Sequence, residues 1–193
     1  MAKSRLSPGW IALIVVGVIL LSFVFFFIGS YNGLIKTDET VNEKWANVQS
    51  AYQRRADLIP NLVDTVKAYS SYEGSVLTEI TNARASIGKA STPAQLQAAG
   101  NELNSALSRL LAVAENYPNL KANENYLSLQ DELAGTENRV KVERDLFNAA
   151  VKNYNVKVRA FPTNIVAGMF GFQNKEMFEA EQGTDKAPKV GFN

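Results

Sequence analysis

From Trp10 to Ile28 the chain reads WIALIVVGVILLSFVFFFI, nineteen residues without a charge. As a helix rising about 1.5 Å per residue, this run covers roughly 28 Å, close to the hydrocarbon thickness of a bilayer. Trp10 at one end and Tyr31 beyond the other take the interfacial positions that aromatic residues favour. A secretory signal would have a shorter apolar region ending at a small-x-small cleavage site. Here the run continues through Phe25, Phe26, Phe27 and Ile28 into GSYNG, a poor cleavage sequence. The expectation is an uncleaved transmembrane helix over residues 10–29, behind a short tail at 1–9. Lys3 and Arg5 precede it, and Lys36 is the first base beyond it. The positive-inside bias then places the N-terminus in the cytoplasm and exports the C-terminal domain. Gly29 and Gly33 have the small-xxx-small spacing of helix pairs, or simply form a junction at the membrane surface.

The rest of the chain is globular in composition and nearly neutral. The first thirty residues hold two of the twenty bases and no acid, so the remaining 163 hold eighteen bases and nineteen acids, a net of −1. Such a balance offers no basic field for nucleic acid. There is no cysteine and no histidine. Structural zinc of the usual kind, disulfides, thiolate nucleophiles and imidazole-based triads are therefore excluded.

Beyond the anchor the periodicity is helical. Val41, Trp45, Val48, Tyr52, position 55, Ile59, Leu62, Val66 and Tyr69 step alternately by four and three, a sustained heptad seam. Ser70 and Glu73 have capping-box spacing ahead of a second seam at Val76, Ile80, Ala83 and Ile87. Thr92, Pro93 and Gln95 start a third helix through Leu96, Ala99, Leu103 and Leu110, which Pro118 stops. A fourth carries Tyr126, Leu129, Leu133, Val140, Phe147, Val151, Tyr154, Val158 and Phe161, and Pro162 ends it. The predicted fold is all-α: a transmembrane helix leading into an antiparallel up-and-down four-helix bundle with coiled-coil-like seams. The bundle domain spans 30–172, with helices near 31–69, 72–88, 93–116 and 123–160. Within it TNIVAGMFGF (163–172) forms a short helix or turn capping one end. Residues 173–193 form an extended tail that Val190 and Phe192 can dock.

Polar residues interrupt two seams. Arg55 stands where an apolar residue is expected, and Thr136 or Glu137, then Glu143, fill gaps in the fourth seam. Antiparallel neighbours with Tyr69 beside Tyr126 bring Arg55 to within about one turn of both acids. The expectation is a structural polar layer in which Arg55 pairs with Glu137 or Glu143, setting register more than adding stability. The alternative is a solvated face on which the arginine stems snorkel. Pro60 should bend the first helix, with Gly135 opposite giving room. No catalytic, cofactor or metal residues are assigned. Asp57, Glu115, Glu124, Glu137 and Glu143 supply carboxylates, but no histidine accompanies them as a di-iron bundle requires.

The blocks YNGLIK, RRADLIPNLVDTVKAY, LLAVAENYPNLKANENYLSLQDELAGTENRV, FNAAVKNYNVKVRAFPTNIVAGMFGF and MFEAEQGTDKAPKVGF resemble the LemA family from Tyr31 to Phe192. The resemblance implies a bacterial membrane protein with one N-terminal helix, a helical soluble domain and no established catalytic residues. It also implies company with membrane metallopeptidases or membrane-anchored TPM-domain proteins. The histidine usual after the VKAY block is replaced here by Tyr72-Glu73.

The functional expectation is a non-enzymatic, membrane-anchored scaffold or adaptor of the bacterial cell envelope, acting through protein–protein or homo-oligomeric contacts. A membrane-shaping or lipid-contacting protein, with NIVAGMFGF inserted at an interface, is the alternative. A carboxylate-only hydrolase is the remote one.

Overall fold

A computed structural model describes residues 8–69 and 74–179. Among them every regular element is a helix and none is a strand. The order is α1 (Pro8–Lys67), α2 (Gly74–Lys89), α3 (Pro93–Ala114), α4 (Pro118–Lys121), α5 (Glu124–Arg159) and α6 (Thr163–Phe170). The Ser70–Glu73 capping box, Lys3, Arg5, Tyr72, Val190 and Phe192 lie outside the described residues.

Local chemistry sets the helix ends. The Thr92 Oγ1 accepts the Gln95 N–H at 3.2 Å, while the Gln95 Oε1 accepts the Ser91 N–H at 3.0 Å. The cap thus satisfies one of the free N–H groups that open α3, and the return bond ties Gln95 back to the residue before the cap. Pro118 opens α4, where its missing N–H is no loss. Asn123 caps α5 by accepting the Tyr126 N–H at 3.1 Å. Gly171 ends α6 in the left-handed region at φ 75°, a conformation that a side chain would strain.

The chain divides into two compact units. The first joins Met1–Val41 with Lys152–Lys175, so it contains the start of α1, the end of α5 and α6. Its packed centre is Leu34 with Val166 and Ala167 of α6, flanked by Phe27, Tyr31, Val158 and Phe172. The Trp10–Ile28 run is different, because all its large side chains except Phe27 stay exposed. α1 is the one helix among the described residues long and apolar enough to cross a membrane. It continues unbroken from that run to Lys67, through Pro60.

The second unit joins Asn42–Val151 with Glu176–Asn193. Its core takes Val48, Tyr52, Ile59, Leu62 and Val66 from α1, and Ile80, Ala83 and Ile87 from α2. Leu96, Leu103 and Leu110 come from α3, Leu120 from α4, and Tyr126, Val140, Phe147 and Val151 from α5. Each set repeats at helical spacing, so each helix buries one stripe and leaves the other to water. Arg109 of α3 donates from Nη1 to Oε1 of Glu79 on α2 at 2.9 Å, and its Nη2 lies 2.9 Å from Oε2 in the same ion pair. Trp45 of α1 meets Phe147 of α5 with ring centroids 5.5 Å apart.

α3 carries a glycine in its interior at Gly100, where glycine weakens a helix by about 1 kcal/mol relative to alanine. The reason is steric: a Cβ at Gly100 would stand 2.5 Å from Cε1 of the Tyr52 ring. The α3 backbone therefore lies directly on that ring. Gly100→Ala should destabilise the protein by about 1–3 kcal/mol despite its better helix propensity, because overpacking outweighs the propensity gain. Thermal unfolding beside Gly135→Ala checks this, since a Cβ at Gly135 meets nothing within 4 Å.

Candidate functional site

The polar interruptions of the seams gather in the second unit. Arg55 is buried, with 7% of its surface exposed, and its Nη2 lies 3.3 Å from Oε2 of Glu137. The Glu137 side chain is 60% exposed. Burial pulls the Arg55 pKa below its ordinary value, and the Glu137 and Tyr52 charges oppose that shift. The guanidinium is thus buried, and its partner is the member of the pair that stays in water. Glu143 goes elsewhere. It is buried on the other flank of α5, where Oε1 accepts from Nε of the mostly exposed Arg139 at 3.1 Å. Thr136 is also buried, its Oγ1 donating to the Leu133 carbonyl at 2.8 Å.

These groups line two separate grooves. Arg55, Asn104, Gln130 and Glu137 border a cavity of about 310 Å³, closed by Leu107, Leu111 and Leu133. The buried Nε of Arg55 and Oδ1 of Asn104, both in this lining, have no hydrogen-bond partner among the described residues. Arg54, Glu132, Arg139 and Glu143 border a cavity of about 510 Å³ floored by Ala51, Gly135 and Thr136. Gly135 thus sits beside Ala51 and Arg54, and Pro60 is half-buried further along α1. Asp57 lies 3.7 Å from Arg84 and accepts from Gln53 at 2.9 Å. Among the described residues no three acids cluster as metal ligands.

Residues 173–179 hold another polar constellation, in two parts. In the first unit Asn155 clasps the Lys175 backbone: its Oδ1 accepts the N–H at 2.8 Å and its Nδ2 donates to the carbonyl at 2.9 Å. Lys175 also reaches Asp38 at 2.8 Å and lies 5.3 Å from the Tyr154 ring centroid. Burial raises the Tyr154 pKa, and the neighbouring Asp38 carboxylate, hydrogen-bonded to the phenol, raises it further. In the second unit Asn148 clasps Phe178 in the same two-way manner, at 2.9 and 3.1 Å. Gln97 of α3 does so for Glu179, at 3.2 and 3.4 Å. The Phe178 ring is buried against Trp45 and Phe147, with the Arg144 guanidinium 5.1 Å from its centroid.

Sequence reasoning singled out Arg55, Glu137 and Glu143 but none of the clasping amides. Asn148 and Asn155, seven apart on one helix face, were the available signal.

A family model described as the LemA family matches residues 44–192. Among curated proteins, the chain is 25% identical over 209 residues to Magnetosome protein MamQ 2 of Paramagnetospirillum magneticum, covering 94% of this chain and 77% of that protein. It is 25% identical over 164 residues to Protein LemA of Metamycoplasma hominis, covering 83% and 74%. Magnetosome protein MamQ of Magnetospirillum gryphiswaldense is 24% identical over 192 residues.

The charge pairs and the clasps make distinct predictions. Arg55→Leu should leave stability within about 1 kcal/mol, whereas Glu137→Ala should lower it by about 1–3 kcal/mol by stranding a buried cation. Chemical denaturation of both variants measures the asymmetry, and equal losses would contradict it. Phe178→Ala should undock the segment, seen as lost hydrogen-exchange protection at the Glu179 amide while α5 stays protected.

Proposed function

The chain belongs to the LemA family, and we propose that it is a non-enzymatic, membrane-anchored helical scaffold or adaptor of the bacterial cell envelope. In this reading α1 crosses the membrane once, with a cytoplasmic N-terminus. The helices beyond form an antiparallel four-helix bundle on the exported side and make protein–protein or self-assembly contacts there. One observation carries the proposal: α1 is a single helix of sixty residues, exposed and apolar at its start, seam-forming further on. A helix of that kind carries an apolar anchor and a packing seam on one element, which suits holding partners at the membrane more than turning over substrate.

Other features support parts of the reading. Contacts that step up α1 step down α5, from Trp45 with Phe147, through Arg55 with Glu137, to Tyr69 with Asn123. That is the order antiparallel neighbours produce. Lys3 and Arg5 ahead of the apolar run favour the stated orientation. The inward-facing charges are engaged with one another, and Val142 and Leu146 of α5 remain exposed as apolar contact surface.

The absence of cysteine makes a direct test simple. Full-length Leu146→Cys, carrying a photo-crosslinker and irradiated in its own membrane, should give a small, discrete set of protein adducts. Those adducts should be further copies of the chain, membrane metallopeptidases or TPM-domain proteins. A chain that stays monomeric and uncrosslinked at native expression would overturn the scaffold reading.

A further inference from the structure

Beyond its first turn α6 is apolar on every side. Val166 and Ala167 face inward onto Leu34. On its outer side Ile165 and Met169, four residues apart, are exposed, Met169 at 67%. Phe161, just ahead of the helix, is 81% exposed, and Phe170 at its end is half exposed. No charged residue occurs between Arg159 and Lys175. A helix in water normally turns a polar face outward, and one that is apolar all round belongs in a core or in lipid. Thr163 and Asn164 are its only polar residues, both in its first turn.

Its position identifies what covers the outer face. The Phe170 ring stands 6.1 Å from that of Phe27 and 4.6 Å from that of Tyr31, and Phe172 is 6.0 Å from Tyr31. Phe27 is the penultimate residue of the charge-free run, and Phe23 continues the aromatic file 5.9 Å from it. Phe27 to Leu34 covers seven residues, about 10 Å of helix axis, and α6 packs along that interval. This interval corresponds to the zone between acyl chains and headgroups at the end of a span. The Lys157 Nζ donates to the Gly33 carbonyl at 3.3 Å, which sets a basic group at the same level.

We propose that α6 is an interfacial membrane helix, with the side chains of Ile165, Met169 and Phe170 seated in the acyl–headgroup boundary of the bilayer that α1 crosses. The exposed face is continuous with the lipid-facing surface of α1, because Phe170 touches the last turn of the span. α6 therefore forms a second contact with the membrane and braces the helix where it leaves the bilayer. The inference rests on α1 being a membrane span, as the proposed function has it.

Three single-cysteine variants of the full chain test it: Ile19→Cys, Ile165→Cys and Met169→Cys. Each carries an environment-sensitive fluorophore and is reconstituted in phosphatidylcholine–phosphatidylglycerol vesicles with spin labels at shallow or deep acyl positions. The Met169 and Ile165 labels should emit to the blue of their detergent-free aqueous values. They should be quenched several-fold more by shallow spin labels than by aqueous iodide, and the Ile19 label most by deep ones. If the Ile19 label is deep while the Met169 and Ile165 labels are quenched by iodide, the interfacial helix is wrong and the span stands. If the Ile19 label itself is open to iodide, both fall. Blue-shifted labels at 165 and 169 that ignore spin-labelled lipid but form disulfide-linked dimers when left unlabelled would mean that a second copy covers this face, which also overturns the proposal.

Discussion

The structure depends on an unbroken α1. A helix satisfies its own backbone hydrogen bonds, so it can pass from an apolar medium to an aqueous one with no change of conformation. Its side chains must then change partners along its length. At Trp10–Phe25 the described residues supply no covering for them. At Phe27–Leu34 their partners are α6 and the aromatic rings around it. Within the second unit, from Val48 to Val66, they are the seams of the other helices. Pro60 fits this arrangement because a long helix packed on both sides of a proline can lose one backbone bond and continue.

Inside the second unit the charge pairs share a design. Buried Arg55 pairs with an exposed Glu137, and buried Glu143 pairs with an exposed Arg139. Each pair keeps one member in water, so neither bears the desolvation of a fully buried ion pair. The two acids also point into different grooves. A pair of carboxylates acting on one glycosidic bond must flank a single substrate. Glu137 and Glu143 stand six residues apart on α5, and each meets its own arginine, Glu137 across to α1 and Glu143 within α5.

Much of the helical pattern was legible because burial has a period. Leu96, Leu103, Leu110, Val140, Phe147 and Val151 could be named from spacing alone and are buried. Arg55 stood out as a polar residue at an apolar phase. Its partner did not: a register known to one helical turn is uncertain by about 5.4 Å, which spans both Glu137 and Glu143. Gly100 escaped notice because its reason is a ring from another helix, and the sequence of α3 says nothing of how near Tyr52 passes. The extended segment was legible only as aperiodic. Nothing in composition distinguishes Phe178, which is buried, as the residue that docks.

The clasping amides explain how such a segment is held without a strand to pair with. An asparagine side chain offers one donor group and one acceptor, the complement of one residue's backbone. Asn155 and Asn148 each satisfy a whole residue in this way, each within its own unit. Because these bonds go to main-chain atoms, they hold the segment whatever its side chains are. The side chains are then free for separate tasks: Phe178 fills the space between Trp45 and Phe147, while Lys175 answers Asp38. The main-chain groups of Lys175, Phe178 and Glu179 are thus satisfied by side-chain amides, a solution that hydrophobic periodicity alone does not encode.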